Sequence, residues 1–160
     1  MNSASRHTLV QPSIIDRLLD DAPDNQHSET LMLFDMQDFR RALARDLEAL
    51  LNTRLMENPD QDTAYPLAAK TMLRFGVSDL SAINLLNPDH RELLRKRLKD
   101  AIETHEPRLT SIKVHLDSPR DTERHLRFKV DAILIIHPQH PPVTFDATLQ
   151  LSSSAYRVQG

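Results

Sequence analysis

A chain of 160 residues that is 39% hydrophobic and 27% charged has the composition of a folded globular protein and the length of one domain able to bury a core without covalent staples. Its net charge of −3 offers no basic surface for nucleic acid, its lack of cysteine removes disulfide and thiolate chemistry and fits a reducing compartment, and its two glycines, Gly76 and Gly160, are too few for a glycine-rich phosphate loop. The longest apolar run, Ala132–Ile136, falls far short of the ~20 residues of a membrane span, and the first residues carry no apolar signal-peptide core.

In chain order, Met1–Gln11 is polar and patternless and is expected to be a disordered tail. Residues 12–160 then form a single expected domain. Its first element is a short docking helix over 12–21, opened by Pro12 or Ser13 and closed at Asp20-Asp21-Ala22-Pro23, with Ile14, Ile15, Leu18 and Leu19 as one apolar stripe. A helix this short is marginal alone, so the stripe docks either on the chain's own core or on another subunit. Asp24–Thr30 reads as a linker. The helical part, 35–106, opens with Asp35 as cap and Asp38 in the first turn, and Met36, Phe39, Leu43, Leu47, Leu50 and Leu51 recur at helical spacing until Asn52-Thr53-Arg54. A polar loop over Met56–Pro66 precedes a short helix or irregular segment at Leu67–Phe75, which Gly76 ends with a positive φ.

Asn87-Pro88 starts the next helix, with asparagine at the cap and proline at the first helical position. Leu93, Leu94, Leu98, Ala101 and Ile102 form its apolar stripe, Arg91, Arg95, Lys96, Arg97 and Lys99 make the rest basic, and Pro107 ends it. From there the period changes to two. Ile112, Val114 and Leu116, then Leu126, Phe128, Val130, Ala132 and Leu134, then Val143, Phe145, Ala147, Leu149 and Leu151 alternate with polar residues, and Tyr156-Arg157-Val158 reads as a last short edge strand. This is a half-buried antiparallel meander over 109–158. Helices first and strands second give an α+β class, with the helices packed on a small C-terminal sheet.

No chemistry-bearing constellation stands out. The eight histidines include no helical pair of metal-ligand spacing, so no metal site is expected. Ser152-Ser153-Ser154 lacks the glycines of a nucleophile elbow. Glu103 and Glu106 lie three apart on one helix and could share a face, but a glycosidase holds its two carboxyls across a sugar cleft, usually from different elements. No catalytic residue and no cofactor is assigned. Glu106-Pro107-Arg108 is the more informative run. Two acids at the negative end of a helix need a compensating cation, and Arg108, held stiffly by Pro107, is the nearest. The run is either an ordinary helix stop with a solvated ion pair or a rigid charged knuckle that docks a partner. The outer strand ending in Leu149–Val158 is likewise open to two readings. Its flanking Thr148, Gln150 and Ser152–Ser154 are neutral, so that edge is either covered or used to add a partner's strand.

Several runs occur together in a familiar order: Pro12-Ser13-Ile14-Ile15-Asp16-Arg17-Leu18-Leu19, Arg45-Asp46-Leu47-Glu48-Ala49-Leu50-Leu51-Asn52-Thr53-Arg54, Phe75-Gly76-Val77-Ser78-Asp79-Leu80, Glu106-Pro107-Arg108-Leu109 and Pro142-Val143-Thr144-Phe145-Asp146. In them the chain resembles the TssE family, the type VI secretion baseplate subunit, which is similar to a phage baseplate wedge protein once labelled lysozyme-like. Family members more often carry Tyr-Gly-Leu-Pro-Asp where this chain has Phe75-Gly76-Val77-Ser78-Asp79. The resemblance implies a cytoplasmic structural protein, not an enzyme, that contacts the wedge subunits TssF, TssG and TssK through Glu106, Pro107 and Arg108. It also implies templating of the sheath proteins TssB and TssC by strand addition. With the residues above, the expected partner-binding set is Glu106, Pro107, Arg108, Ile14, Ile15, Leu18, Leu19, Leu149, Leu151, Tyr156 and Val158. The alternative is a muramidase-like cell-wall hydrolase, as the old label has it.

Overall fold

A computed structural model describes residues 36–55, 71–79, 83–118, 125–136 and 140–160, with the isolated positions 64 and 67. The expected tail, the docking helix with Ile14, Ile15, Leu18 and Leu19, the linker and the Asp35 cap lie outside the described residues. The chain divides into two compact units, Met1–Leu43 and Ala44–Gly160. The described part of the first is the opening of helix α1 (Met36–Asn52), where Phe39, Ala42 and Leu43 are buried and Arg41 pairs with Asp38 a turn earlier.

In the second unit, α1 buries Leu47, Leu50 and Leu51, as its periodicity predicts. It stops where Thr53 bonds back to the Ala49 carbonyl through both its amide and its hydroxyl. The chain then forms β1 (Arg54–Leu55), which pairs in parallel with β2 (Val77–Ser78). A 3₁₀ turn between them, Met72–Arg74, is capped by the Thr71 hydroxyl. Gly76 has φ +122°, as its helix-stop position predicts, and the neighbouring backbone adds a second demand. A Cβ there would sit 2.4 Å from the Thr53 carbonyl oxygen, the same oxygen that accepts from the Val77 amide at 2.9 Å.

Helix α2 (Pro88–His105) begins as its sequence predicts, with the Asn87 side chain accepting from the Asp89 amide at 2.8 Å and proline at the first position. Leu94, Leu98 and Ile102 are wholly buried on its inner stripe, but Leu93 is 42% exposed, because its position is turned about 100° from Leu94 and falls outside that stripe. Four antiparallel strands follow in the order β3 (Leu109–Leu116), β4 (His125–Leu134), β5 (Pro142–Gln150) and β6 (Ala155–Gln159). Every second residue from Leu126 to Leu134 and from Val143 to Leu149 is buried, as are Ile112, Val114, Tyr156 and Val158, while the alternates face outward. Helix α2 packs against β3. Phe128 and Phe145, at 1% and 0% exposure, each contribute roughly 1.5–3 kcal/mol of apolar burial. The α+β class read from the sequence is the fold observed.

Two strand details differ from the pattern. Leu151 does not continue β5. The strand ends at Gln150, and residues 151–154 turn through Ser154 at φ +51°, leaving Leu151 44% exposed. Near its start β3 carries a bulge, with its register shifting between Thr110 and Lys113 at Ser111, φ +56°.

Candidate functional site

The run from Glu106 to Arg108 forms the corner between α2 and β3. Glu106 caps α2, its amide bonding to the Ile102 carbonyl at 2.9 Å, and its carbonyl in turn accepts from the Leu109 amide. The chain reverses tightly enough for the Glu106 carboxylate to grip the residue two positions on. Arg108 Nε and Nη2 donate to its two oxygens, each at 2.6 Å, and the Arg108 amide donates to Oε1 at 3.1 Å. The same Nη2 reaches Asp46 Oδ2 on α1 at 2.7 Å, and the other oxygen of Asp46 accepts from Arg45 at 3.0 Å. Burial opposes charge on Arg108, but the hydrogen bonds from Glu106 and Asp46 outweigh it and raise the guanidinium's pKa above its ordinary value.

The Glu106 side chain is 7% exposed and that of Arg108 26%, so this is a largely buried clasp and not a solvated surface pair. Pro107, between the two gripping residues, is exposed. Glu103, the other acid of the sequence pair, lies outside the clasp and faces Lys99 at 3.4 Å. The two carboxylates therefore serve separate ion pairs and share no cleft.

The C-terminal edge differs from its expected form. Leu149 lies on β5, an inner strand paired on both sides, opposite Leu126 of β4 and Tyr156 of β6. The outer strand is β6, and its outward backbone groups are largely taken. Asn52 of α1 accepts from the Tyr156 amide through Oδ1 at 2.8 Å and donates to the Tyr156 carbonyl through Nδ2 at 2.9 Å. Glu48, one turn earlier, accepts from the Val158 amide at 2.9 Å. Just before β6, Arg54 Nη2 donates to the Ser154 carbonyl at 2.8 Å.

Side chains of one helix thus occupy the backbone positions that a fifth strand would use. Tyr156 and Val158 turn their side chains into the core, at 2% and 9% exposure. Tyr156 packs edge-on against Phe128 at 6.1 Å. Its buried hydroxyl has no hydrogen-bond partner among the described residues, and burial pushes its pKa well above the usual tyrosine value.

Of the sequence-predicted residues, the structure joins Glu106 and Arg108 directly and places Pro107 between them. Tyr156 and Val158 sit together on the outer strand, Leu149 lies inside the sheet and Leu151 lies in a turn. Sequence reading missed Asp46, Glu48 and Asn52. The signal available was their place in a single run, with Asp46, Glu48 and Asn52 on the polar side of an otherwise apolar-striped helix.

The family model described as "Baseplate wedge protein gp25" matches residues 37–139, well over half of the chain. No curated protein matches the chain significantly. Among solved structures, a chain of one described as "The baseplate complex from the type VI secretion system" is similar at 14% identity and a TM-score of 0.46, over 68% of this chain and 92% of that one.

Proposed function

This chain belongs to the baseplate wedge protein gp25 family, and from that premise we propose that it is a structural component of the cytoplasmic baseplate of a contractile type VI secretion apparatus. In this reading the chain docks on the wedge subunits TssF, TssG and TssK and offers its sheet to the sheath proteins TssB and TssC for strand addition. The stripe of Ile14, Ile15, Leu18 and Leu19 is a second docking element, in which a short helix gains stability by burying its apolar face on another subunit.

The observation that carries the docking reading is the corner itself. An exposed proline stands between the two halves of a buried, bidentate ion pair that is also tied to α1 through Asp46. A corner fixed in this way has little conformational freedom left to lose, which lowers the cost of association. Because the functional groups of Glu106 and Arg108 are turned on each other, their part is to shape the corner, while Pro107 and its surroundings meet the partner.

Pro107→Glu tests this reading. It places a charge at the exposed tip while keeping both clasp residues. The expected result is an unchanged thermal melt together with loss of co-purification with TssF, TssG and TssK. Undiminished co-purification of the variant overturns docking through the corner, and failure of the unaltered chain to co-purify overturns the baseplate reading as a whole.

A further inference from the structure

The outer face of the sheet carries the polar alternates of each strand, and its charges are paired at one end and open at the other. Lys129 stands opposite Asp146 and pairs with it at 3.2 Å. Thr144 donates to Asp131 Oδ1 at 2.6 Å, and His115 lies 3.4 Å from the other oxygen of Asp131. Two residues along β4 from Lys129, the register sets Arg127, Thr148 and Arg157 in one row across β4, β5 and β6. Both arginines are exposed and stand two strand spacings apart, roughly 10 Å. Neither meets an acid among the described residues. Arg127 has the His125 Nε2 at 3.5 Å, the long limit of a hydrogen bond, and Arg157 has no polar partner there. The side chains of Thr148 and Gln150, between and beside them, make no hydrogen bond among the described residues either.

A groove of about 820 Å³ opens over this row and reaches α1 at Glu48 and Asn52. Asn52 is spent on the Tyr156 backbone, and Glu48 Oε2 on the Val158 amide. Glu48 is the one acid among the described residues that line the groove, so two guanidinium charges face a single carboxylate already in use. The two like charges repel across the row, and anions set on them relieve the repulsion. Each planar guanidinium fork matches a carboxylate through two parallel bonds, and the Thr148 hydroxyl midway supplies a further donor. The groove is too large for one small anion. Two cations on a chain of net charge −3 do not make the long basic stripe of a nucleic-acid site. The chemistry that fits is a short acidic stretch of protein.

We propose that the Arg127–Thr148–Arg157 row receives an acidic segment of a neighbouring protein, with one carboxylate on each arginine and the Thr148 hydroxyl bonded between them. Contact is made by side chains on the face of the sheet. Thr148 lies on β5, whose backbone is paired on both sides, so no strand joins the sheet here. The row sits at the end of β4 remote from Leu134, which pairs with Leu109 just after the corner. The surface is therefore separate from the Pro107 corner and stands or falls independently of it.

The test titrates the full chain with a deca-glutamate peptide and, separately, with inorganic phosphate, following backbone amide resonances at low ionic strength. The expected result is saturable shifts at Arg127, Thr148 and Arg157 with the peptide, weakening as salt rises, and no such shifts with phosphate. Arg127→Gln and Arg157→Gln should each weaken peptide binding about tenfold, the loss of one charge-assisted bond, with an unchanged thermal melt because both side chains are exposed. Lys129→Gln, whose charge already has Asp146, should change binding by less than about twofold. Equal shifts with phosphate would mean a small-anion site and overturn the protein segment. Equal weakening by Lys129→Gln would mean diffuse charge attraction and overturn the row. In the assembly, Arg127→Gln together with Arg157→Gln should weaken co-purification with at least one of TssF, TssG, TssK, TssB and TssC, and undiminished co-purification with all of them would overturn a neighbour at this face. Failure of the unaltered chain to bind any of them would sink the baseplate reading instead and leave the peptide titration to decide this surface.

Discussion

At the β6 border, Asn52 and Glu48 satisfy the amide and carbonyl of Tyr156 and the amide of Val158. At the β3 border, the Asp117 amide bonds inward to the Arg127 carbonyl, so by alternation the equivalent groups of Val114 and Leu116 face outward, and no described residue bonds to them. Both are edge strands of one four-stranded sheet, and both begin from the same row of backbone donors and acceptors. What separates them is the position of α1, whose polar side is spent inward on the chain's own backbone. An unguarded sequence is thus a poor guide to an open edge. Neutral Ser152, Ser153 and Ser154 lead into the sealed border, whereas the open one carries the lysine and the bulge usually read as protection.

The largest expected effect comes from the corner that leads into β3. Arg108→Ala leaves the Glu106 carboxylate buried at 7% exposure with no guanidinium. It also frees Asp46 and so loosens the same helix whose next turn seals β6. Because the arginine is itself about a quarter exposed, the cost is set at the lower end of the range for breaking a buried pair, about 3 kcal/mol. Urea unfolding measures it, and a loss below about 1 kcal/mol would mean that Glu106 finds water at little cost. This outcome limits Arg108→Ala as a probe of docking, since the variant changes the fold as well as the surface.

Next in size is Asn52→Ala. It strips one donor and one acceptor from β6 at part-buried positions, at a cost of about 1–3 kcal/mol. Its local signature matters more than its size. Exchange of the Tyr156 amide should accelerate while Leu116 stays as it was, so the two borders become alike. If Tyr156 exchanges no faster in the variant, β6 does not depend on the asparagine, and the contrast between the edges loses its cause.

The legible parts of this molecule are those where side-chain period follows from local geometry. The stripe Phe39, Leu43, Leu47, Leu50 and Leu51, the Asn87-Pro88 start and the alternation along β4 all read directly, because each depends on neighbours within a turn or two. The Glu106–Arg108 pair was visible as a charge argument, but its burial was not, since burial depends on Asp46, 62 positions away. The seal was not legible at all. Asn52 and Glu48 look like the fading end and the solvent face of a helix, and their partners lie 104 and 110 positions away. Leu151 was misplaced because alternation alone does not reveal where a strand yields to a turn.

The smallest expected effect separates the sealed backbone of β6 from the side chain beneath it. The Tyr156 ring is buried against Phe128, and its hydroxyl has no partner among the described residues. That hydroxyl therefore carries a desolvation cost with no hydrogen bond to offset it. Tyr156→Phe keeps the ring and both Asn52 bonds, which use only backbone atoms. It should leave neutral-pH stability unchanged or raise it by up to about 1 kcal/mol.

The pH dependence gives the sharper readout. The folded-state pKa of Tyr156 is raised by burial. Above the unfolded value of about 10, the unfolded chain therefore loses a proton that the folded chain keeps. The tyrosine's contribution to stability is whole below that pH and falls away as pH climbs toward the raised folded value. The phenylalanine variant should show a shallower loss of stability above pH ~10, measured by urea unfolding at increasing pH. Parallel curves for the two proteins would mean that the hydroxyl ionises as readily inside the fold as outside it, and that the core beneath β6 is wetter than its packing indicates.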